Sequence, residues 1–212
     1  IGARKNSDHE GGRMDARVSR LAVIFTAFFA GLVLCLGVIL FVGGRGTGTG
    51  VIQAAPIGGP FHLIDQNGQP FSDQDLKGKT FLVFFGFTHC PDVCPTTLFE
   101  ISEVMRNLGA EADRAAALFI SVDPERDTPE AMKDYMASFD PHVRGLTGDA
   151  AALAAVAKAY RVYYKKVPLE GDDYTMDHTA IVYLMDKDGR FVSPFNMRRT
   201  AEVAAADLRK HL

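Results

Sequence analysis

An α/β domain built on a mixed sheet, preceded by a single N-terminal transmembrane helix, is the fold class that this 212-residue sequence predicts. Three observations carry it. One uncharged apolar block lies near the N-terminus. From residue 61 onward, short apolar runs alternate with longer stretches of helical pattern. Near the C-terminus, two strand-like runs flank a tight turn. The composition, 47% hydrophobic and 23% charged, is ordinary for a globular chain. A formal net charge of -3 argues against a nucleic-acid binder held by a basic surface.

The apolar block runs from Leu21 to Val42 without charge or proline, and Thr26 is its only polar side chain. At 1.5 Å per residue a helix of this length covers about 33 Å, enough for a bilayer core of roughly 30 Å. A cleaved signal peptide would have a shorter apolar region and an A-x-A-like site, and Phe41-Val42-Gly43-Gly44 is not one. A buried soluble helix would show a polar face. The block therefore reads as an uncleaved anchor. Arg13, Arg17 and Arg20 precede it closely, with Arg4 and Lys5 further back, whereas Arg45 is the only Lys or Arg after it until Lys77. The positive-inside rule then keeps the N-terminus in the cytoplasm and exports the chain beyond Val42. Met14-Asp15-Ala16-Arg17 reads as a natural start, which would make residues 1–13 an upstream extension.

The expected organisation is a short cytoplasmic segment over 1–20, the anchor over 21–42, a tether over 43–60 and one domain over 61–212. Seven glycines and two prolines in 43–60 make that stretch flexible. About 150 residues is ample for one core. Residues 51–212 hold 17 basic and 23 acidic side chains, so the exported part is acidic.

Within the domain, Phe61 to Asp65 alternates as a strand, and Gln66-Asn67-Gly68-Gln69 is a hairpin signal. Ser72-Asp73-Gln74-Asp75 fits a capping box. Thr80 to Phe87 is apolar throughout and predicts a central strand buried on both faces. A helix is expected from Thr96 to about Ala112, and a second buried strand over Ala115 to Val122. Thr128-Pro129 opens a helix ending near Phe139-Asp140-Pro141, since Pro suits the first helical position. Asp149 to Tyr160 is Ala-rich and helical, and Arg161 to Lys166 is a candidate strand. Thr179 to Met185 and Arg190 to Ser193 form a hairpin about the turn Asp186-Lys187-Asp188-Gly189. Thr200 to Leu212 closes as a helix.

The chemistry is expected where the first buried strand ends, in Thr88-His89-Cys90-Pro91-Asp92-Val93-Cys94-Pro95-Thr96-Thr97. Two cysteines four positions apart flank a helix start, with Pro95 expected first in the helix and Cys94 as its cap. Unpaired N–H groups and the positive dipole end stabilise a thiolate there, the form that attacks disulfides and binds metals. An inert disulfide is the competing reading in an exported domain, but so short a loop adds little chain entropy. Cys35, inside the span, reads as a small hydrophobe. If the Thr80–Phe87 and Thr179–Met185 strands are antiparallel neighbours, the residue just before the second one, His178, faces the cysteine loop. Two thiolates and an imidazole make a three-ligand set that suits Cu(I), with zinc as an alternative. Asp177 could orient the ring or merely solvate a loop. His89 adjoins Cys90, but neighbours on an extended chain point apart. His62, His142 and His211 are scattered and read as surface residues.

These residues resemble the Sco/SenC family of copper chaperones. The resemblance rests on Phe85-Gly86-Phe87-Thr88-His89-Cys90-Pro91-Asp92-Val93-Cys94-Pro95-Thr96-Thr97-Leu98, on Ser121-Val122-Asp123-Pro124-Glu125-Arg126-Asp127-Thr128-Pro129, and on Asp177-His178-Thr179-Ala180. It spans roughly Phe61 to Leu212. It implies a thioredoxin-like fold tethered outside a bacterial inner membrane or in the mitochondrial intermembrane space. It implies copper held by Cys90, Cys94 and His178, and a role in assembling the dinuclear copper centre of cytochrome c oxidase subunit II. No mitochondrial presequence is legible, so a bacterial periplasm is the expected location. Expected partners are that oxidase subunit, the inner membrane and another copper carrier, with no nucleic acid. The competing function is a thiol–disulfide oxidoreductase that cycles a Cys90–Cys94 disulfide and reduces the partner's cysteines. Thioredoxin-type enzymes usually have Cys-x-x-Cys, whereas this pair is one residue wider. A peroxidase would want a charge partner for one cysteine, and no Arg or Lys adjoins the loop. The reading is thus of a metal-binding chaperone rather than an enzyme, with thiol–disulfide reduction as an accessory activity. In the second segment, Asp127 or Thr128 is expected to cap a helix.

Overall fold

The computed structural model describes residues 12–44 and 56–212, with side chains described from residue 22 to 41 and from 56 onward. The chain divides into two units, and each is taken by itself.

The first contains one helix, α1 (Gly12–Gly44). Its Ala22–Phe41 stretch is long and apolar enough to cross a membrane, and none of it is buried against protein. The hydroxyl of Thr26 donates back to the carbonyls of Ala22 and Val23, both at 3.0 Å. The one polar side chain of the span is therefore satisfied within the helix, as a hydrocarbon environment requires.

The second unit is a mixed sheet with flanking helices. Its strands are β1 (His62–Asp65), β2 (Pro70–Ser72), β3 (Thr80–Gly86), β4 (Ala115–Ser121), β5 (Val143–Thr147), β6 (Tyr164–Pro168), β7 (Tyr174–His178), β8 (Val182–Met185) and β9 (Phe191–Pro194). The helices are α2 (Val93–Leu108), α3 (Pro129–Met136), α4 (Ala150–Ala159) and α5 (Ala201–Arg209). Seven strands form one sheet in the order β2-β1-β5-β4-β3-β8-β9, and β6 and β7 pair separately as a two-stranded ribbon. β3, β4 and β5 run parallel, while β1, β8 and β9 join antiparallel.

The central strand explains the packing. All seven residues of β3 are buried. Successive side chains point to opposite faces. Phe84 stacks on Phe119 of β4 on one side, while Phe85 meets Tyr160 and Tyr183 on the other. The expected neighbour relation holds, with Phe84 opposite Val182 and Phe81 opposite Met185 in an antiparallel ladder.

Several elements differ from expectation. α2 begins at Val93, with Asp92 preceding it, so Cys94 lies inside the first turn and Pro95 follows it. Proline is tolerated there because the first-turn N–H groups have no intrahelical partner. The helix expected to reach about Ala112 ends at Leu108, and a 3₁₀ segment, Gly109–Arg114, follows it. β5 was not expected, because Arg144 and Gly145 interrupt its apolar pattern. A Cβ on Gly145 would lie 2.6–2.7 Å from Met132 and Met136, so the missing side chain lets α3 pack directly on the strand. β7 was also missed, and the strand expected from Thr179 begins only at Val182. In the stretch read as tether, 45–55 lies outside the described residues. Gly58 donates to the Ala159 carbonyl at 3.0 Å and Ile57 packs against the core, so the end of that stretch is joined to the domain.

Candidate metal centre

The cysteine loop starts where β3 leaves the sheet. Thr88 is fastened by a carboxylate from another loop: Asp127 accepts its backbone N–H at 3.2 Å and its hydroxyl at 2.7 Å. Asp127 is fully buried and also accepts the hydroxyl of Ser121 at 2.6 Å. Burial pushes its acidity down, and these donors partly offset that by favouring the anion. The chain then turns, with the Cys90 N–H reaching the Phe87 carbonyl at 3.3 Å.

Asp92 makes no side-chain cap at the start of α2. The sulfur of Cys90 serves instead, accepting the Cys94 N–H at 3.4 Å. Cys90 is partly exposed and Cys94 is completely buried. Burial raises the Cys94 thiol pKa far above its ordinary value. Its sulfur sits over Gly86, where a Cβ would come within 2.7 Å of both Cys94 Sγ and the Phe119 ring.

His178 ends β7. Its Nε2 lies 3.7 Å from Cys94 Sγ, and its Nδ1 lies 3.2 Å from the Thr179 carbonyl. A carbonyl oxygen only accepts, so Nδ1 carries the proton and the Nε2 lone pair faces the sulfurs. Phe87 meets the ring edge-on at 5.8 Å and Phe84 lies 6.4 Å away. Burial lowers the His178 pKa, which keeps the imidazole neutral; the Thr179 carbonyl and Asp177 oppose this more weakly.

The ligand atoms of Cys90, Cys94 and His178 lie within 4.8 Å of one another. No other group of three metal-ligating side chains occurs among the described residues. His89 is exposed and pairs with the Thr88 hydroxyl, outside the cluster. Asp177 is exposed, and the ring's Nδ1 lies against the Thr179 carbonyl instead. Cys35 is exposed on α1. His62 is exposed, and His142 pairs with Asp140 and Asp113. Thr128 caps α3 by accepting the Ala131 N–H, so of the two capping candidates only Thr128 caps, and Asp127 serves the cysteine loop. Sequence reasoning missed Gly86 and Asp127 as parts of the site. A glycine interrupting a buried strand signals close approach of another group, and Gly86 carries that signal. Asp127 carries none, because its partner Thr88 is 39 positions away.

The geometry defines a class: an α/β domain with a cluster of three soft donors, able to hold a metal ion, at the end of its central strand. The model of the SCO1/SenC family matches residues 49–212. The mouse mitochondrial SCO2 homolog is 42% identical over 163 residues, covering 76% of this chain and 64% of that protein. The chain thus spans less than two thirds of that relative. The solved structure of Bradyrhizobium japonicum ScoI with copper bound is 67% identical, with a TM-score of 0.72, covering 74% of this chain and 99% of that one. The structure of BsSco, described as a member of the Sco family of cytochrome c oxidase assembly proteins with a disulfide switch, is 27% identical. Its TM-score is 0.59, with 74% of this chain and 95% of that one covered. The fold is thioredoxin-like. The chain belongs to the SCO1/SenC family.

Proposed function

We propose that this protein is a membrane-anchored copper chaperone that carries copper as cargo on Cys90, Cys94 and His178. The reading holds further that it helps assemble the dinuclear copper centre of cytochrome c oxidase subunit II. The single observation that carries it is the convergence of two sulfurs and one imidazole nitrogen within 4.8 Å. Thiolates select Cu(I), whereas structural zinc takes four ligands. The cluster has three donors among the described residues, which favours copper. The copper-bound ScoI structure and the oxidase-assembly description of BsSco support the cargo and the destination. With α1 as the anchor and its basic flank in the cytoplasm, the domain works on the periplasmic side of a bacterial inner membrane.

A second reading has its own support. The Cys90 sulfur at the helix start is placed for thiol chemistry. Reduction of a partner disulfide would convert the Cys90 and Cys94 thiols to a disulfide, with both electrons and both protons passing to the partner's cysteines. The same oxidation removes two copper donors, so the activities exclude each other at any instant.

Competition with a Cu(I) chelator, run beside thiol–disulfide titration on one set of variants, separates them. His178→Ala is expected to weaken Cu(I) binding sharply while Cys90 and Cys94 still form a reversible disulfide. Unchanged affinity in His178→Ala would remove it from the site and leave the reductase reading in front.

A further inference from the structure

The metal centre is assembled from two parts that do not share a sheet. The cysteines follow β3, whereas His178 ends the β6–β7 ribbon, which forms no ladder with the seven-stranded sheet. A lone two-stranded ribbon is marginal in water. Side chains of the loop after β4 join it to the domain. Asp123, 2% exposed, accepts the Tyr174 hydroxyl at 2.8 Å and Arg126 Nε at 2.6 Å. Arg126 Nη1 donates to the Tyr174 carbonyl at 2.9 Å, and the guanidinium lies 3.6 Å from the centre of the Tyr174 ring. Lys166 of β6 lies 3.7 Å from that ring centre and pairs with Glu125 at 2.6 Å. Tyr174 begins the strand that His178 ends. Arg126 also lies 5.9 Å from Phe87, the ring that meets His178 edge-on.

We propose that Arg126 is a positioning residue of the metal centre: with Asp123 and Tyr174 it holds the ribbon so that His178 Nε2 stays within reach of the two sulfurs. The inference rests on the reading of Cys90, Cys94 and His178 as copper ligands. The loop then acts as a bracket with two arms. Asp127 fastens the cysteine half through Thr88, and Asp123 with Arg126 fastens the histidine half. Each charged side chain of Asp123-Pro124-Glu125-Arg126-Asp127 has a partner outside the loop: Asp123 the Tyr174 hydroxyl, Glu125 Lys166, Arg126 the Tyr174 carbonyl and Asp127 Thr88. A guanidinium is suited to the task because its fork and its flat face act together, one on Asp123 and the Tyr174 carbonyl, the other on the Tyr174 ring.

The test uses the full chain in detergent, with Cu(I) supplied from a chelator, and five variants: Arg126→Ala, Tyr174→Phe, His178→Ala, Arg126→Ala/His178→Ala and Tyr174→Phe/His178→Ala. Loss of a residue that orients a ligand typically weakens metal binding by about 10–100-fold, and Arg126→Ala is expected in that range. X-ray absorption of its bound copper should keep two sulfur neighbours and lose most of the nitrogen contribution. Because Arg126 acts through His178, the double variant should bind no more weakly than His178→Ala alone. Full affinity with nitrogen retained in Arg126→Ala, or a further full loss in the double variant, overturns the proposal. If Arg126→Ala does not fold, Tyr174→Phe decides, since it removes one hydroxyl from the same bracket. A few-fold loss that vanishes in the His178→Ala background supports the bracket, and wild-type affinity rejects it. Unchanged affinity in His178→Ala itself would instead sink the ligand assignment, a failure distinct from that of the bracket.

Discussion

At Gly86 the absence of one carbon decides where the Cys94 sulfur sits. The buried Cys94 sulfur and the Phe119 ring both occupy the space that a side chain would claim. Gly86→Ala must displace one or both, an overpacking that typically costs about 1–3 kcal/mol. Urea denaturation should register that loss, and Cu(I) competition should show weakened binding in the protein that remains folded. An alanine variant with unaltered stability and affinity would mean that the sulfur has room to spare. Cys94 also sets a pH dependence. Its raised pKa leaves the free thiol protonated at neutral pH, so metal binding must release that proton. Lower pH favours the protonated thiol and opposes binding. Cu(I) affinity should therefore climb between about pH 6 and 8, by about tenfold per pH unit for each proton released. His178 adds less to this slope than an ordinary imidazole would, because burial lowers its pKa and favours the neutral ring. A flat profile over that range would contradict the buried-thiol assignment.

The loop between β4 and α3 separates two adjacent residues with different tasks. Thr128 accepts the Ala131 N–H at the start of α3, and losing such a cap typically costs about 1 kcal/mol. Thr128→Ala should therefore lower the denaturation midpoint modestly and leave copper affinity unchanged. Asp127→Ala removes the acceptor for the Thr88 N–H, the Thr88 hydroxyl and the Ser121 hydroxyl, and each orphaned buried donor costs about 1–3 kcal/mol. That variant should lose both stability and copper affinity, because it frees the segment that presents Cys90. Equal behaviour of the two variants would argue against an Asp127 anchor. The sequence suggested capping for either residue, because capping is a local property and a carboxylate's distant partner is not.

For the whole molecule the predictions concern placement and linkage. The charge asymmetry around α1 favours a cytoplasmic N-terminus. Protease added outside spheroplasts should cleave between α1 and the domain and release a folded fragment; complete protection of the domain would reverse the orientation. The core of the domain is one continuous cluster of buried apolar side chains, from Phe61 through Leu208. The apo protein should thus keep the secondary structure of the copper-loaded form. Copper binding only the folded state should raise Tm, by linkage worth about 2.7 kcal/mol when free metal is a hundredfold above Kd. An apo domain without secondary structure by circular dichroism would make the metal structural rather than cargo.

Legible from residue pattern were the apolar helix, the two buried central strands, the cysteine pair at a helix start and the histidine that meets it. Each is written in local pattern: an unbroken apolar run, a continuous aromatic strand, a cysteine spacing, and a residue preceding a strand whose partner is given by pairing. That His178 belongs to a ribbon outside the main sheet is visible only in the folded chain, since β7 alternates too weakly to announce a partner for the strand expected over Arg161 to Lys166. Tertiary structure also decided that Cys90 sulfur, rather than Asp92, takes the helix N–H, and that Thr179 rather than Asp177 fixes the histidine tautomer. The bracket of Asp123, Arg126 and Asp127 emerges only when the chain is folded, because its partners lie 39 to 51 positions away and long-range hydrogen bonds leave no periodic trace in a sequence.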